Sequence, residues 1–76
     1  VENKSEAIKI YPNPVDDILY VESETELKYW ITDISGRTIQ QGITNGTINL
    51  TDLNNGLYIA TFENNGQLFS EKIIVH

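Results

Sequence analysis

Along the chain the apolar residues arrive in short runs of about four to eight, rich in Ile, Val, Tyr and Thr. They never settle into helical spacing. Clusters of Gly, Asn and Pro part the runs, a pattern that predicts many short strands. The first is Ile8–Tyr11, stopped by Pro12. Pro12 and Pro14 have no N–H to give to a ladder and bias Tyr11 and Asn13 toward extended backbone, so Tyr11–Asp17 reads as a stiff, non-helical corner. Ile18–Glu22 alternates, with Leu19 and Val21 on one face. The acidic connection Glu22–Glu26 leads into Leu27–Ile34, where Leu27, Tyr29 and Ile31 share one side and Lys28, Trp30 and Thr32 the other.

Ser35-Gly36 turns the chain, because Gly36 accepts a positive φ without steric cost. The returning strand, Arg37–Ile43, has Ile39 as its main apolar anchor. Asn45-Gly46 is the strongest two-residue hairpin signal in the chain, and Thr47–Leu50 follows it. Thr51–Gly56 is a further turn. Leu57–Glu63 places Tyr58, Ala60 and Phe62 on one face, Asn64-Asn65-Gly66 makes the last hairpin, and Gln67–Val75 is the final strand.

Seven strands in one small domain must each bury one face, and two packed antiparallel sheets are the usual solution. A barrel is the alternative that the pattern leaves open. One detail favours an immunoglobulin-like sandwich. Tyr58 stands two residues after the turn glycine Gly56, at the start of the penultimate strand, where such a tyrosine turns back to bond the preceding corner. The plain alternative is a core tyrosine with its hydroxyl at the sheet edge.

Composition narrows the functions. The 76 residues allow one thin-cored domain, with 8–76 as the folded part and 1–7 as a linker remnant. Val1 is not a natural start, so the sequence reads as a piece of a longer chain. No cysteine is available for a disulfide, a metal or a nucleophile, and the single histidine is His76. Five basic residues against eleven acidic ones give a net charge of −6, which argues against nucleic acid and against an anionic membrane surface. No apolar run approaches the ~20 residues needed for membrane insertion as a helix.

Candidate chemistry is sparse. Asp16, Asp17, Asp33 and the 22–26 loop could offer oxygen ligands to Ca²⁺, but the spacing of an EF-hand loop is missing and they read as solvated turn acids. Neither a metal nor a cofactor is expected. Ser35 lacks the surroundings of a nucleophile elbow, and a thin sandwich is a poor place to tune paired carboxylates, so no catalytic residue is assigned. Trp30 could stack on a sugar or a protein partner if its face is exposed; the bland reading, which we take, turns it to the core through a bulge, since large aromatics dominate small cores. The Asn-x-Ser/Thr triplets at Asn3, Asn45 and Asn49 are ascribed to an Asn- and Thr-rich composition.

Four segments then fall in a telling order: Ile10-Tyr11-Pro12-Asn13-Pro14, Ile31-Thr32-Asp33-Ile34-Ser35-Gly36-Arg37, Leu53-Asn54-Asn55-Gly56-Leu57-Tyr58 and Glu71-Lys72-Ile73-Ile74-Val75. Together, over residues 8–76, they resemble the C-terminal sorting domain of type IX secretion cargo proteins. The resemblance implies a seven-stranded immunoglobulin-like sandwich, not an enzyme, carried behind an N-terminal cargo domain in the same precursor. It implies export from the periplasm through an outer-membrane translocon, removal by a sortase-like peptidase, and a secreted or cell-surface destination. Pro12, Asn13 and Pro14 match the opening motif, Gly36 and Arg37 the middle one, Gly56 and Tyr58 the late Gly-x-Tyr, and Lys72 the basic residue of the last strand. The chain departs from the pattern at its end, where His76 rather than Lys or Arg follows Val75.

For recognition by the translocon, Lys72, Ile73, Ile74 and Val75 are the expected contacts, with Arg37 as a second candidate. A terminal strand at a sheet edge offers unpaired N–H and C=O groups for strand addition. The plain alternatives are that Ile73, Ile74 and Val75 complete the core and that Arg37 is a solvated turn residue. Pro12, Pro14, Gly36 and Gly56 are expected to set chain direction. The competing function is a fibronectin-like accessory module of a secreted hydrolase, binding carbohydrate or protein through an exposed aromatic such as Trp30.

Overall fold

The computed structural model describes residues 8–76, so the linker expected over 1–7 lies outside the described residues. Seven strands form: β1 (Lys9–Tyr11), β2 (Ile18–Glu22), β3 (Leu27–Asp33), β4 (Thr38–Thr44), β5 (Thr47–Asn49), β6 (Gly56–Asn64) and β7 (Gln67–Val75). They make two antiparallel sheets, one ordered β1-β2-β5 and the other β4-β3-β6-β7. Alternation decides which faces meet. Leu19, Val21 and Ile48 of the smaller sheet are buried with Leu27, Tyr29, Ile31, Tyr58, Ala60, Phe62, Ile73 and Val75 of the larger one. Phe62 is the largest fully buried side chain, and truncating such a residue to Ala typically costs about 3–5 kcal/mol. In a small domain that is a large share of the total stability of about 5–15 kcal/mol.

After β1 the chain changes sheets. Val15, fully buried, forms a parallel bridge with Val75. Its N–H donates to the Ile74 carbonyl at 2.8 Å, and its own carbonyl accepts from the His76 N–H at 2.9 Å. One short stretch of backbone thus joins β1 of the smaller sheet to the outer edge of β7 in the larger.

Three expectations are corrected. Asn45-Gly46 closes no hairpin: β4 pairs with β3 and β5 with β2, so the turn carries the chain from one sheet to the other. The inward positions of β4 are Gln40, Gly42 and Thr44, and none offers an apolar side chain. β5, in contrast, carries Ile48, which is buried only by joining β2. The Gly46 carbonyl, accepting from Val21 N–H at 2.8 Å, fixes the crossing.

Ile39 is no anchor but lies 39% exposed. The register steps from Ile31↔Gln40 to Thr32↔Thr38, which leaves Ile39 as the extra residue of a bulge. Trp30 does not turn to the core. Strict alternation in β3 buries Leu27, Tyr29 and Ile31 and leaves Trp30 half-buried on the outer face, between Gln41 and Thr61.

Candidate functional site

The four sequence motifs meet at one end of the larger sheet. Asp33 sits opposite Tyr58, and Tyr58 opposite Ile73. Gly56 sits opposite Val75, and Val75 bridges to Val15 just after the Pro-Asn-Pro corner. The arrangement follows from strand register, which brings together residues more than fifty positions apart.

Asn13 is the least obvious member. Both X-Pro peptides of its motif, Tyr11-Pro12 and Asn13-Pro14, are cis. The Asn13 amide lies alongside β7, where Nδ2 donates to the Lys72 carbonyl at 3.0 Å and Oδ1 accepts from the Ile74 N–H at 3.0 Å. A side-chain amide sets an N–H donor beside a carbonyl acceptor, as a peptide unit does, so it pairs with a strand edge as a neighbouring strand does. With the Val15 bonds, this occupies the outward groups of β7 from the Lys72 carbonyl to the His76 N–H. β7 is an edge strand, as expected, but the C-terminal half of its edge is already paired. The outward groups of Leu68 and Ser70, by the two-residue alternation of an antiparallel ladder, are left for solvent.

The middle motif is a self-contained turn. Asp33 Oδ1 accepts from the Ser35 hydroxyl at 2.7 Å, from the Ser35 N–H at 3.0 Å and from the Arg37 N–H at 3.0 Å. The Ser35 hydroxyl above all, then the Arg37 N–H, holds the carboxyl below its ordinary value, with a smaller contribution from the Arg37 charge. Gly36 has φ +93°, which favours glycine. Arg37 reaches back to Asp33 Oδ2 at 3.5 Å, yet its side chain stays 77% exposed. The carboxylate is spent on its own turn, and no group of carboxylates or histidine suited to a metal forms among the described residues.

In the late motif Tyr58 turns back as expected, its hydroxyl donating to the Asn54 carbonyl at 2.7 Å. A Cβ added to Gly56 would meet Tyr58 Cε1 at 3.7 Å, an ordinary contact, so no close approach explains that glycine. In β7 the parity is plain: Ile73 and Val75 are buried, while Lys72 and Ile74 face outward. The structure therefore groups Lys72, Ile74 and the turn of Arg37 at one end and withdraws Ile73 and Val75 into the core.

Two residues escaped the sequence reading. Leu57, 41% exposed, lies opposite Ile74, and half-buried Ile59 lies opposite Lys72. Their signal was present. Leu57–Ala60 and Ile73–Val75 are unbroken apolar runs, and a strand apolar at successive positions has two apolar faces.

The four motifs thus converge on one end of a two-sheet sandwich, where Asp33 is tied into its own turn and His76 lies 3.7 Å from Asp16. The family model for the secretion system C-terminal sorting domain matches residues 9–76, and the chain belongs to that family. It is a C-terminal sorting signal for type IX secretion, carried behind an N-terminal cargo and directing export across the outer membrane to the surface or the medium. The family is one of sorting signals rather than catalysts. Neither a curated protein nor a solved structure matches the chain significantly.

Proposed function

We propose that the export machinery reads this domain as a folded, immunoglobulin-like shape, with Arg37, Lys72 and Ile74 in contact with the translocon. The strand orders β1-β2-β5 and β4-β3-β6-β7, together with the Tyr58–Asn54 bond, support the immunoglobulin-like reading. In this reading Ile73 and Val75 act indirectly, by anchoring β7 so that the side chains between and before them are presented in fixed register. Pro12, Asn13 and Pro14 act the same way from the other side of the strand, and Gly36 shapes the turn that carries Arg37. A sortase-like peptidase then severs cargo from domain on the N-terminal side.

The observation that carries the proposal is the outward placement of Lys72 and Ile74 at the sheet end that also bears the Arg37 turn. Deleting Ile73–His76 is a blunt test, because it removes two core residues and unfolds the domain. The sharper test is Lys72→Gln with Ile74→Thr, fused behind a reporter and followed by cell fractionation and a melting curve. Reporter retained in the periplasm by a domain of unchanged melting temperature is the expected result. Normal export of that variant refutes the contact role of both residues.

A further inference from the structure

The outer face of the larger sheet reads in rows across its strands. Toward the hairpin of β6 and β7 lie Ile43, Lys28, Glu63 and Leu68, and then Gln41, Trp30, Thr61 and Ser70. Beyond them Ile59 lies beside Lys72, and Leu57 beside Ile74. From the Trp30 row onward this face carries a half-buried indole, three aliphatic side chains and a single charge, which is positive, in a chain of net charge −6.

Contiguous exposed apolar surface rimmed by polar groups marks an interaction site. Here it is continuous with Lys72 and Ile74, on which the proposed contact already rests. We infer that the recognised surface is not the last strand alone but the outer sheet face formed by Trp30, Leu57, Ile59, Lys72 and Ile74. Its occupant is a protein surface of the export machinery that presents apolar side chains beside a carboxylate. The charge argues for this partner. A like copy of so acidic a chain, or an anionic lipid surface, is repelled, whereas a carboxylate set in an apolar surface pairs with Lys72 and meets no acidic group in this part of the face. Lys28 is partnered across the ladder by Glu63 and adds no net charge. Pairing along the edge of β7 is the weaker mode, because Asn13 and Val15 fill the C-terminal half of that edge.

The test fuses the chain behind a reporter in a host with type IX machinery. One variant combines Leu57→Thr with Ile59→Thr, a second is Lys72→Glu, and a control is Tyr20→Thr, an exposed aromatic on the smaller sheet outside the four motifs. The face variants are expected to lower export about tenfold or more, the scale on which losing an interface anchor is felt. The control exports normally, and all three melt near the parent. Lys72→Glu, at an exposed position, keeps the test decisive if the double variant loses stability. Normal export of the face variants overturns the inference while leaving the sorting function intact. Failure of the parent fusion overturns the sorting reading itself and the inference with it. A dimer of the parent that the Leu57/Ile59 variant dissociates makes a second copy the occupant and overturns the assigned partner.

Discussion

Two of the chain's three Asn-Gly pairs, Asn45-Gly46 and Asn65-Gly66, do different things. Asn65-Gly66 closes a tight hairpin between β6 and β7, with φ of 54° and 84°, the two positive values that a type I′ turn needs. Asn45-Gly46 has the same letters, yet Gly46 stands at φ +140° and the strands on either side belong to different sheets. The first turn is held by the ladder it closes. The second is held by Thr44, whose buried hydroxyl accepts from the Gly46 N–H at 3.2 Å and donates to the Thr47 carbonyl at 2.7 Å, and by the distant Val21 N–H. Turn chemistry specifies a bend. What the bend joins is decided by where the flanking apolar side chains can be buried.

The contrast can be broken at the glycines. Gly46→Ala is expected to be the most damaging change, near the top of the ~1–3 kcal/mol range for enforced unfavourable backbone, because φ +140° lies outside even the left-handed well. Gly66→Ala, inside that well, costs about 1–2 kcal/mol. At this size each kcal/mol moves the melting temperature by about 4–8 °C, so thermal melts resolve the order, and an equal effect would mean that the two turns are equivalent after all.

Next comes Thr44→Val, which keeps the shape and removes both hydroxyl bonds. About 1 kcal/mol is expected, since water can reach the Thr47 carbonyl. A melt unchanged within error would show that the crossing is held by packing alone. A third asparagine sharpens the point from the side-chain end. Asn13→Ala removes two exposed bonds to β7 and should cost about 0.5–1 kcal/mol, with faster amide exchange at Ile74, whose N–H it protects. Exchange at Ile74 that does not change discounts the clamp.

The smallest effect belongs to the Asp33 turn, which is held within five residues. Its carboxyl titrates lower in the folded chain than its ordinary 3.8. The stabilisation is therefore complete above the unfolded value and is lost as pH falls through the lower folded one. Asp33→Asn should flatten that acid limb of a pH–melting profile while leaving the neutral limb parallel to the parent. An unaltered acid limb would place the dependence elsewhere.

Much of the fold was legible because strands are local. Period-two alternation in Leu19–Val21, Leu27–Ile31 and Tyr58–Phe62 is the burial pattern itself, and the Asn-x-Gly and Ser-Gly breaks fall where the chain bends. Pairing was less legible, since no residue in Thr38–Thr44 announces that β5 must leave for the other sheet or that Ile39 will be spent in a bulge. Trp30 was misjudged because hydrophobicity was allowed to outvote parity. The site divides in the same way. Lys72 and Arg37 were visible as charges, whereas the Asn13 amide serves backbone 59 and 61 residues away, a relation that only the completed register creates.

The stitch between Asn13, Val15 and the strand at the far end of the described chain has a consequence for fidelity. Asn13 and Val15 find these partners about sixty residues further along the sequence, so loss of the strand from Lys72 onward leaves the first corner loose as well as the last. A label built in this way holds its opening corner and its final strand in one mutual grip, so that neither is displayed in place without the other.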